Sequence, residues 1–371
     1  MKIPMVDLRL QYESMKCDID RAIRDTIEET AFIGGRRVAE FEAAFAKSHN
    51  VRNCIGVANG TDALYIVLKS LNVGAGDEVI TVANSWISTS EAISQTGARP
   101  VFVDVDEYFN IDVDKVPAAI TNRTKAILPV HLYGQPACLD RIQKICTEYG
   151  LLLVEDCAQA HLAHFDGKTV GTFGSAGTFS FFPGKNLGAY GDAGAIVTND
   201  DDLADRCRMF ANHGAAVKHE HVMEGVNSRL DGLQAAILLA KLRHLEKWTA
   251  NRQEVARLYD LKLSEFGDLE LPAVAAKRSH VFHLYVVKSA CREALRNHLT
   301  ACGISTGIHY PTPLPLMKAY EHLRHTSDQF PIAAKNQSKI LSLPIYPELG
   351  KDQIDHIASA IGDFFQGSQT T

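Results

Sequence analysis

From about residue 50 to residue 210, short β-branched and apolar runs alternate with longer stretches whose apolar positions recur every three or four residues. The short runs read as strands: Asn53–Ala58, Glu78–Ala83, Pro100–Asp104, Lys125–His131, Leu151–Glu155, Gly177–Phe182 and Gly194–Thr198. The periodic stretches read as helices: Thr61–Leu71, Thr89–Thr96, Leu139–Tyr149 and Asp201–Phe210. Leu151–Glu155 is nearly all apolar, as a strand covered on both faces must be. The alternation predicts an α/β unit with a mostly parallel sheet. Beyond Ser228 the texture changes to long helices, Leu230–Lys247 and Ala250–Phe266. A short strand Val281–Val287, a helix Arg292–Ala301, a Pro-rich loop with Pro311, Pro313 and Pro315, and a closing helix Asp352–Phe365 complete the chain. This predicts a large α/β domain over 1–245 and a smaller α+β domain over 246–371.

Composition narrows the class only a little. The 371 residues carry 38 Lys and Arg against 44 Asp and Glu, a net charge of −6. That balance argues against a nucleic-acid binder, which clusters its basic residues. No apolar run is long enough for a membrane helix, and the start has no export signal. The eight cysteines form no Cys-x-x-Cys pair and read as reduced thiols of a cytoplasmic protein. The histidine pairs 161/164 and 219/221 have no matching Cys or acidic cluster, so no metal site is expected.

In an open parallel sheet, ligands bind beyond the carboxyl ends of the strands. Four segments there carry chemistry. Gly60 lets the chain turn and Thr61 and Asp62 begin a helix whose free N–H groups suit a phosphate, although taken alone an ordinary cap is the commoner reading. Asp156 ends an apolar run, where a carboxylate needs a partner. Lys185 lies in a Gly- and aromatic-rich turn, where a lysine loses pKa and can form a Schiff base. Trp86 is one of two tryptophans and offers a flat face. Each has a bland alternative as a cap, a loop lysine or core packing. Together, with Ser180, they match what pyridoxal phosphate requires: a lysine, a carboxylate for the ring nitrogen, a phosphate cup and a cover for the ring.

The chain resembles the DegT/DnrJ/StrS family of pyridoxal-phosphate sugar aminotransferases, of fold type I. The resemblance rests on Asn59-Gly60-Thr61-Asp62-Ala63-Leu64, Glu155-Asp156-Cys157-Ala158-Gln159-Ala160-His161 and Ser180-Phe181-Phe182-Pro183-Gly184-Lys185-Asn186-Leu187-Gly188. Gly191–Ala195, His213-Gly214 and Asn227–Asp231 also match. It implies a large, mostly parallel mixed sheet flanked by helices, with a smaller C-terminal α+β domain. It implies Lys185 as Schiff-base lysine and proton shuttle, Asp156 at the pyridine nitrogen, and Gln159 beside the ring. Gly60, Thr61, Asp62 and Ser180 would hold the phosphate, with Trp86 on the ring. Asn227 would reach the cofactor and Arg229 the sugar across a homodimer interface. His309 and Tyr310 would approach the sugar nucleotide. One departure stands out: Leu162 follows His161 where many relatives have Gly, which either reshapes the sugar pocket or serves packing. The implied reaction moves an amino group from L-glutamate, through pyridoxamine phosphate and with release of 2-oxoglutarate, to a nucleotide-linked keto sugar. The first expectation is C-3 of a UDP-2-acetamido-3-keto-glucuronic acid, for surface-polysaccharide biosynthesis. The alternative is a dTDP-linked 3- or 4-keto-6-deoxyhexose. A non-catalytic regulatory protein on the same fold is the reading of a different class.

Overall fold

A computed structural model describes residues 1–367 of the chain. Its centre is a seven-stranded sheet: β1 Asn53–Val57, β2 Glu78–Val82, β3 Arg99–Val103, β4 Thr124–Leu128, β5 Leu152–Asp156, β6 Ala176–Ser180 and β7 Gly194–Thr198. The spatial order is β1-β7-β6-β5-β4-β2-β3. Neighbours from β6 through to β3 are parallel. β7 runs against both β1 and β6. The sheet is therefore mixed and mostly parallel, as expected.

Helices cover both faces. Ahead of the alternation, α1 Leu8–Ser14, α2 Lys16–Glu28 and α3 Gly35–His49 lie in a stretch for which no element was predicted. They are followed by α4 Gly60–Ser70, α5 Ser88–Gln95, α6 Leu139–Tyr149, α7 Asp201–Ala211, α8 Gly232–Leu242, α9 Leu245–Leu263, α10 Arg292–Ala301 and α11 Lys351–Gly367. Ile55, Val57, Val79, Ala126, Leu128 and Val154 pack with the buried Ala63, Leu64, Ile66, Val67 and Leu68 of α4. Alternate strand residues, among them Ile80, Val82, Ile127 and Leu153, pack on the opposite face. The period of two along each strand divides these sets between the two faces.

Four expectations are corrected. β4 stops at Leu128 rather than reaching His131, because Pro129 has no N–H for the ladder. β5 includes Asp156 as its last residue. The helix expected over 230–247 breaks after Leu242, and α9 begins at Leu245. No Gly or Pro marks that break; Ile237 before it and Trp248 after it instead share a cluster with Met15 and Ile19. Finally, Val281–Leu284 is loop, and Tyr285–Lys288 forms β8, which pairs with an unforeseen strand, β9 Ile340–Leu343. α9, α10 and α11 bury Tyr259, Leu299 and Ile357 against this hairpin-like pair.

Candidate active site

One cavity of about 530 Å³ opens at the carboxyl edge of the parallel strands. Its wall takes Asn59, Gly60 and Thr61 from beyond β1, Trp86, Ser88 and Thr89 from beyond β2, Asp156 from the end of β5 and Gln159 from beyond it, and Ser180 from the end of β6 and Lys185 from beyond it.

The first segment is built by a cap. Asn59 is extended, and its side chain accepts from Asp62 N at 2.8 Å, starting α4. That takes up the Asp62 N–H, and Asp62 does not line the cavity. Gly60 is required by close approach: a Cβ there would sit 2.7 Å from Ser180 Cβ. The Thr61 hydroxyl lies 2.6 Å from that of Ser88. The α4 N-terminus, the Gly60–Ser180 contact and three hydroxyls form a cup suited to a phosphate.

Asp156 is buried. Its Oδ2 accepts from Thr89 Oγ1 at 2.9 Å and its Oδ1 from Ala158 N at 3.1 Å. Burial lifts its carboxyl above the usual value, and Ala158, Thr89 and the Lys185 charge pull it back. Lys185 follows β6 in a turn closed by Lys185 N to Phe182 O and Ala189 N to Phe181 O, both 2.8 Å. Gly188 is needed there because a Cβ would strike the Pro183 carbonyl. From below, the buried Lys241 ammonium donates to Gly188 O at 2.7 Å. Burial brings the Lys185 amine down to about 8, against an upward pull from Asp156.

Gln159 is held at both ends. Its Oε1 accepts from Tyr133 N at 2.7 Å and its Nε2 donates to the Tyr310 hydroxyl at 2.9 Å. Tyr133 in turn donates to His309 O. Trp86, 59% exposed, flanks the mouth with its ring centre 5.6 Å from that of Tyr310. His309 and Tyr310 both line the wall. Asn227 and Arg229 do not. Asn227 bridges to Asn212, and Arg229 donates to Asn212 Oδ1 at 3.3 Å. Leu162 also lies off the wall; it takes a left-handed φ of +58° and packs on the core.

His131, Glu155 and Cys157 place their donor atoms within 4.8 Å of one another, a grouping that sequence spacing does not show. Their atoms are already committed. Ala137 N donates to His131 Nδ1, so His131 Nε2–H donates to Glu155 Oε2 at 3.1 Å. Glu155 also accepts from the N–H groups of Gly171, Phe173 and Gly174. This is a strut beneath Asp156. Glu155→Ala leaves four donors without an acceptor, those of His131 and Gly171 buried and those of Phe173 and Gly174 partly so, and we expect a loss of about 3 kcal/mol or more of stability, read by urea unfolding. A loss below ~1 kcal/mol contradicts the strut.

Thr89, Arg252 and His283 also line the wall, and sequence reading had assigned none of them a role. For Arg252 a signal existed: it falls on the apolar face of its helix, in line with Trp248, Val255 and Tyr259.

The donor set fits pyridoxal phosphate: a phosphate cup, a buried carboxylate and a lysine of depressed pKa on one wall. Comparison with known proteins agrees. The family model described as DegT/DnrJ/EryC1/StrS aminotransferase family matches residues 13–362. A pleiotropic regulatory protein of Geobacillus stearothermophilus is 45% identical over 99% of each chain. A dTDP-3-amino-3,6-dideoxy-alpha-D-galactopyranose transaminase of Aneurinibacillus thermoaerophilus is 44% identical, over 98% of this chain and 99% of its own. A UDP-2-acetamido-2-deoxy-3-oxo-D-glucuronate aminotransferase of Pseudomonas aeruginosa is 42% identical, over 97% and 99%. The solved structure of S. venezuelae DesV in complex with a ketimine intermediate is similar with a TM-score of 0.96 and 40% identity, covering 98% of this chain and 99% of that one. Fold and family together define a fold-type I, pyridoxal-phosphate-dependent aminotransferase. The chain belongs to the DegT/DnrJ/EryC1/StrS aminotransferase family. Among the described residues no helix is long and apolar enough to cross a membrane.

Proposed function

We propose that this enzyme transfers the amino group of L-glutamate to C-3 of a nucleotide-linked 3-keto sugar, with UDP-2-acetamido-3-keto-glucuronic acid as the first substrate. The observation that carries the aminotransfer reading is the convergence of Lys185, Asp156 and the α4 N-terminus on one cavity. Relatives at 42% and 44% identity that act on C-3 amino sugars support the substrate class. The higher of these favours a second reading, a dTDP-linked 3-keto-6-deoxyhexose. The product is an amino sugar for surface polysaccharide.

When bound, pyridoxal phosphate supplies an electron sink and carries the amine between two half-reactions. The protein does the rest. Ser180, Thr61 and the Gly60 and Thr61 N–H groups hold the phosphate. Asp156 keeps the ring nitrogen protonated. Trp86 covers the ring and Gln159 orients beside it. Lys185 Nζ removes the proton from the donor α-carbon and later delivers one to C-3 of the sugar. His309 and Tyr310 face the sugar nucleotide. Asn227 and Arg229 act in the partner's cavity of a homodimer, Arg229 against the uronate carboxylate. In this reading residues 1–245 carry the cofactor and 246–371 the smaller domain. All eight cysteines are free, which suits a reducing compartment, and the reading places the enzyme in the cytoplasm.

The test is a panel of keto-sugar nucleotides given to the holoenzyme with glutamate, with amino sugar and 2-oxoglutarate measured together. Equal amounts of both from the uronate support the first reading; turnover confined to dTDP sugars supports the second. Release of dehydrated sugar without 2-oxoglutarate, or failure of the protein to take up the cofactor, sinks both.

Capture of the cofactor aldehyde needs a neutral Lys185 amine. Its rate in the cofactor-free protein is expected to rise about tenfold per pH unit up to about 8 and then level, where an ordinary lysine climbs on to 10.5. Stopped-flow absorbance between pH 6 and 10 reads this, and a rise continuing past pH 9.5 contradicts it.

A further inference from the structure

Lys241, in α8, is 0% exposed and does not line the cavity. An ammonium there is costly unless it is paired. Among the described residues it forms no ion pair, and Glu348 is the carboxylate whose charge reaches it. Burial brings the amine down to about 8, so it still holds its proton at pH 7. Its contacts are Gly188 O at 2.7 Å and the ring of Tyr190, whose centre lies 4.2 Å from Nζ. Both belong to the turn that carries Lys185. A neutral donor would satisfy a carbonyl at less cost. Asn186 does so on the other side of the turn, where its Nδ2 donates to Val281 O at 2.9 Å. A charged donor makes a shorter bond of about twice the strength, which is stiffness rather than mere satisfaction. A second side chain of α8 holds the same turn: Gln234 Oε1 accepts from Tyr190 N at 2.8 Å. Gln234 and Lys241 stand seven residues apart, two turns, and so share one face of the helix. The turn closes on itself and passes this grip to Lys185. Lys185 N donates to Phe182 O, and Gly188 lies so near Pro183 that a Cβ there would sit 2.2 Å from Pro183 O.

We propose that Lys241 is a positioning residue for the catalytic lysine: its ammonium, together with Gln234, fixes the turn so that Lys185 Nζ stands where it must move the proton in both half-reactions. The proposal rests on the aminotransfer reading above. A proton is transferred only over a short and well-aligned path, so looseness in the turn costs rate even when everything stays bound. Two consequences separate this role from others. Lys241 touches neither the phosphate cup nor the cavity, so affinity for cofactor and donor does not depend on it. Asp156 is the charge that reaches the Lys185 amine, so removing Lys241 leaves the pH at which that amine becomes reactive where it was.

The test compares Lys241→Met, which keeps the length and loses the charged donor, with the unmutated holoenzyme in single half-reactions read by the cofactor's visible absorbance. L-glutamate reacts with the aldehyde form and 2-oxoglutarate with the amine form. The saturating rate is expected to fall about 30-fold in both directions, with half-saturating concentrations within about threefold of the parent's. The ratio of rates with α-protiated and α-deuterated glutamate is expected to rise, because proton transfer becomes the slower step. Lys241→Arg keeps a charged donor and is expected to recover about tenfold of the loss. Apart from turnover, capture of the cofactor aldehyde by the cofactor-free protein is expected to slow about tenfold at its plateau, with its pH midpoint unmoved and affinity for pyridoxamine phosphate unchanged. If Lys241→Met does not fold, Gln234→Leu carries the test, with the same pattern and a loss of about fivefold. A purely structural role looks different: amplitudes fall with the folded fraction, while the rate, the isotope ratio and capture stay at the parent's values. That result, or a displaced midpoint, overturns the proposal. Failure of the aminotransfer reading is distinct again, since the unmutated enzyme then yields no 2-oxoglutarate from glutamate.

Discussion

Lys185→Ala is expected to abolish aminotransfer, lowering the rate of each half-reaction by at least about 10⁴-fold, or roughly 5 kcal/mol of barrier. Two losses combine. The side chain that condenses with the cofactor aldehyde is gone, and so is the base that moves the proton at the donor α-carbon. No neighbour can substitute. His283 and His309 line the cavity, but burial holds both imidazoles well below their ordinary value, so each is too weak a base to take the α-proton. Arg252 stays protonated, its guanidinium brought down only to about 10. The fold is expected to survive, because the turn carrying Lys185 is held by backbone bonds and by Lys241 on Gly188. The variant therefore still binds the cofactor through the cup, without the covalent bond that borohydride fixes. Lys185→Arg brings no rescue, since a guanidinium cannot give up its proton. Absorbance-monitored half-reactions and borohydride trapping read the outcome. Transamination above about 1% of the parent's would mean that another group shuttles the proton.

The placement of Lys185 on the cavity wall was legible because it stands where strand periodicity ends. An apolar run stops, a Gly-containing turn follows, and a single cation remains at the edge where parallel sheets bind ligands. The same holds for Asp156, although it proves to be the last residue of β5 rather than the first beyond it. Strands such as Gly194–Thr198 were readable to the residue, since double-sided burial leaves them almost purely apolar. What resisted reading depends on contacts far apart in sequence. Thr89 bonds a carboxylate 67 residues away. The Glu155 strut draws its donors from Gly171, Phe173, Gly174 and His131. The break between α8 and α9 carries no local signal, and neither does the pairing of Ile340–Leu343 with β8. Asn227 and Arg229 lie away from the cavity of their own chain, so their proposed roles depend on a second copy.

Asp156→Asn carries the second large effect. It is expected to lower kcat/KM by about 10³-fold, near 4 kcal/mol, with the stability of the protein little changed. The replacement keeps the shape, and the Asn oxygen can still accept from Ala158 N or Thr89 Oγ1. What it removes is the negative charge. That charge lies buried beside the cup, where low dielectric strengthens its hold on a ring N–H. Without it the ring nitrogen loses its proton and the electron sink weakens, so the step at the donor α-carbon slows most. Asp156 also pulls the Lys185 amine upward. In Asp156→Asn the amine's pKa should therefore fall below the parent's, and the pH midpoint for cofactor capture should move down with it. A variant that lost activity through misfolding would not show that displacement. Thr89→Val separates charge from orientation: it takes away the 2.9 Å bond and keeps the carboxylate, and about a tenfold loss is expected. If Asp156→Asn turned over as fast as Thr89→Val, the charge would not be what the site uses, and orientation alone would account for the shape of this wall.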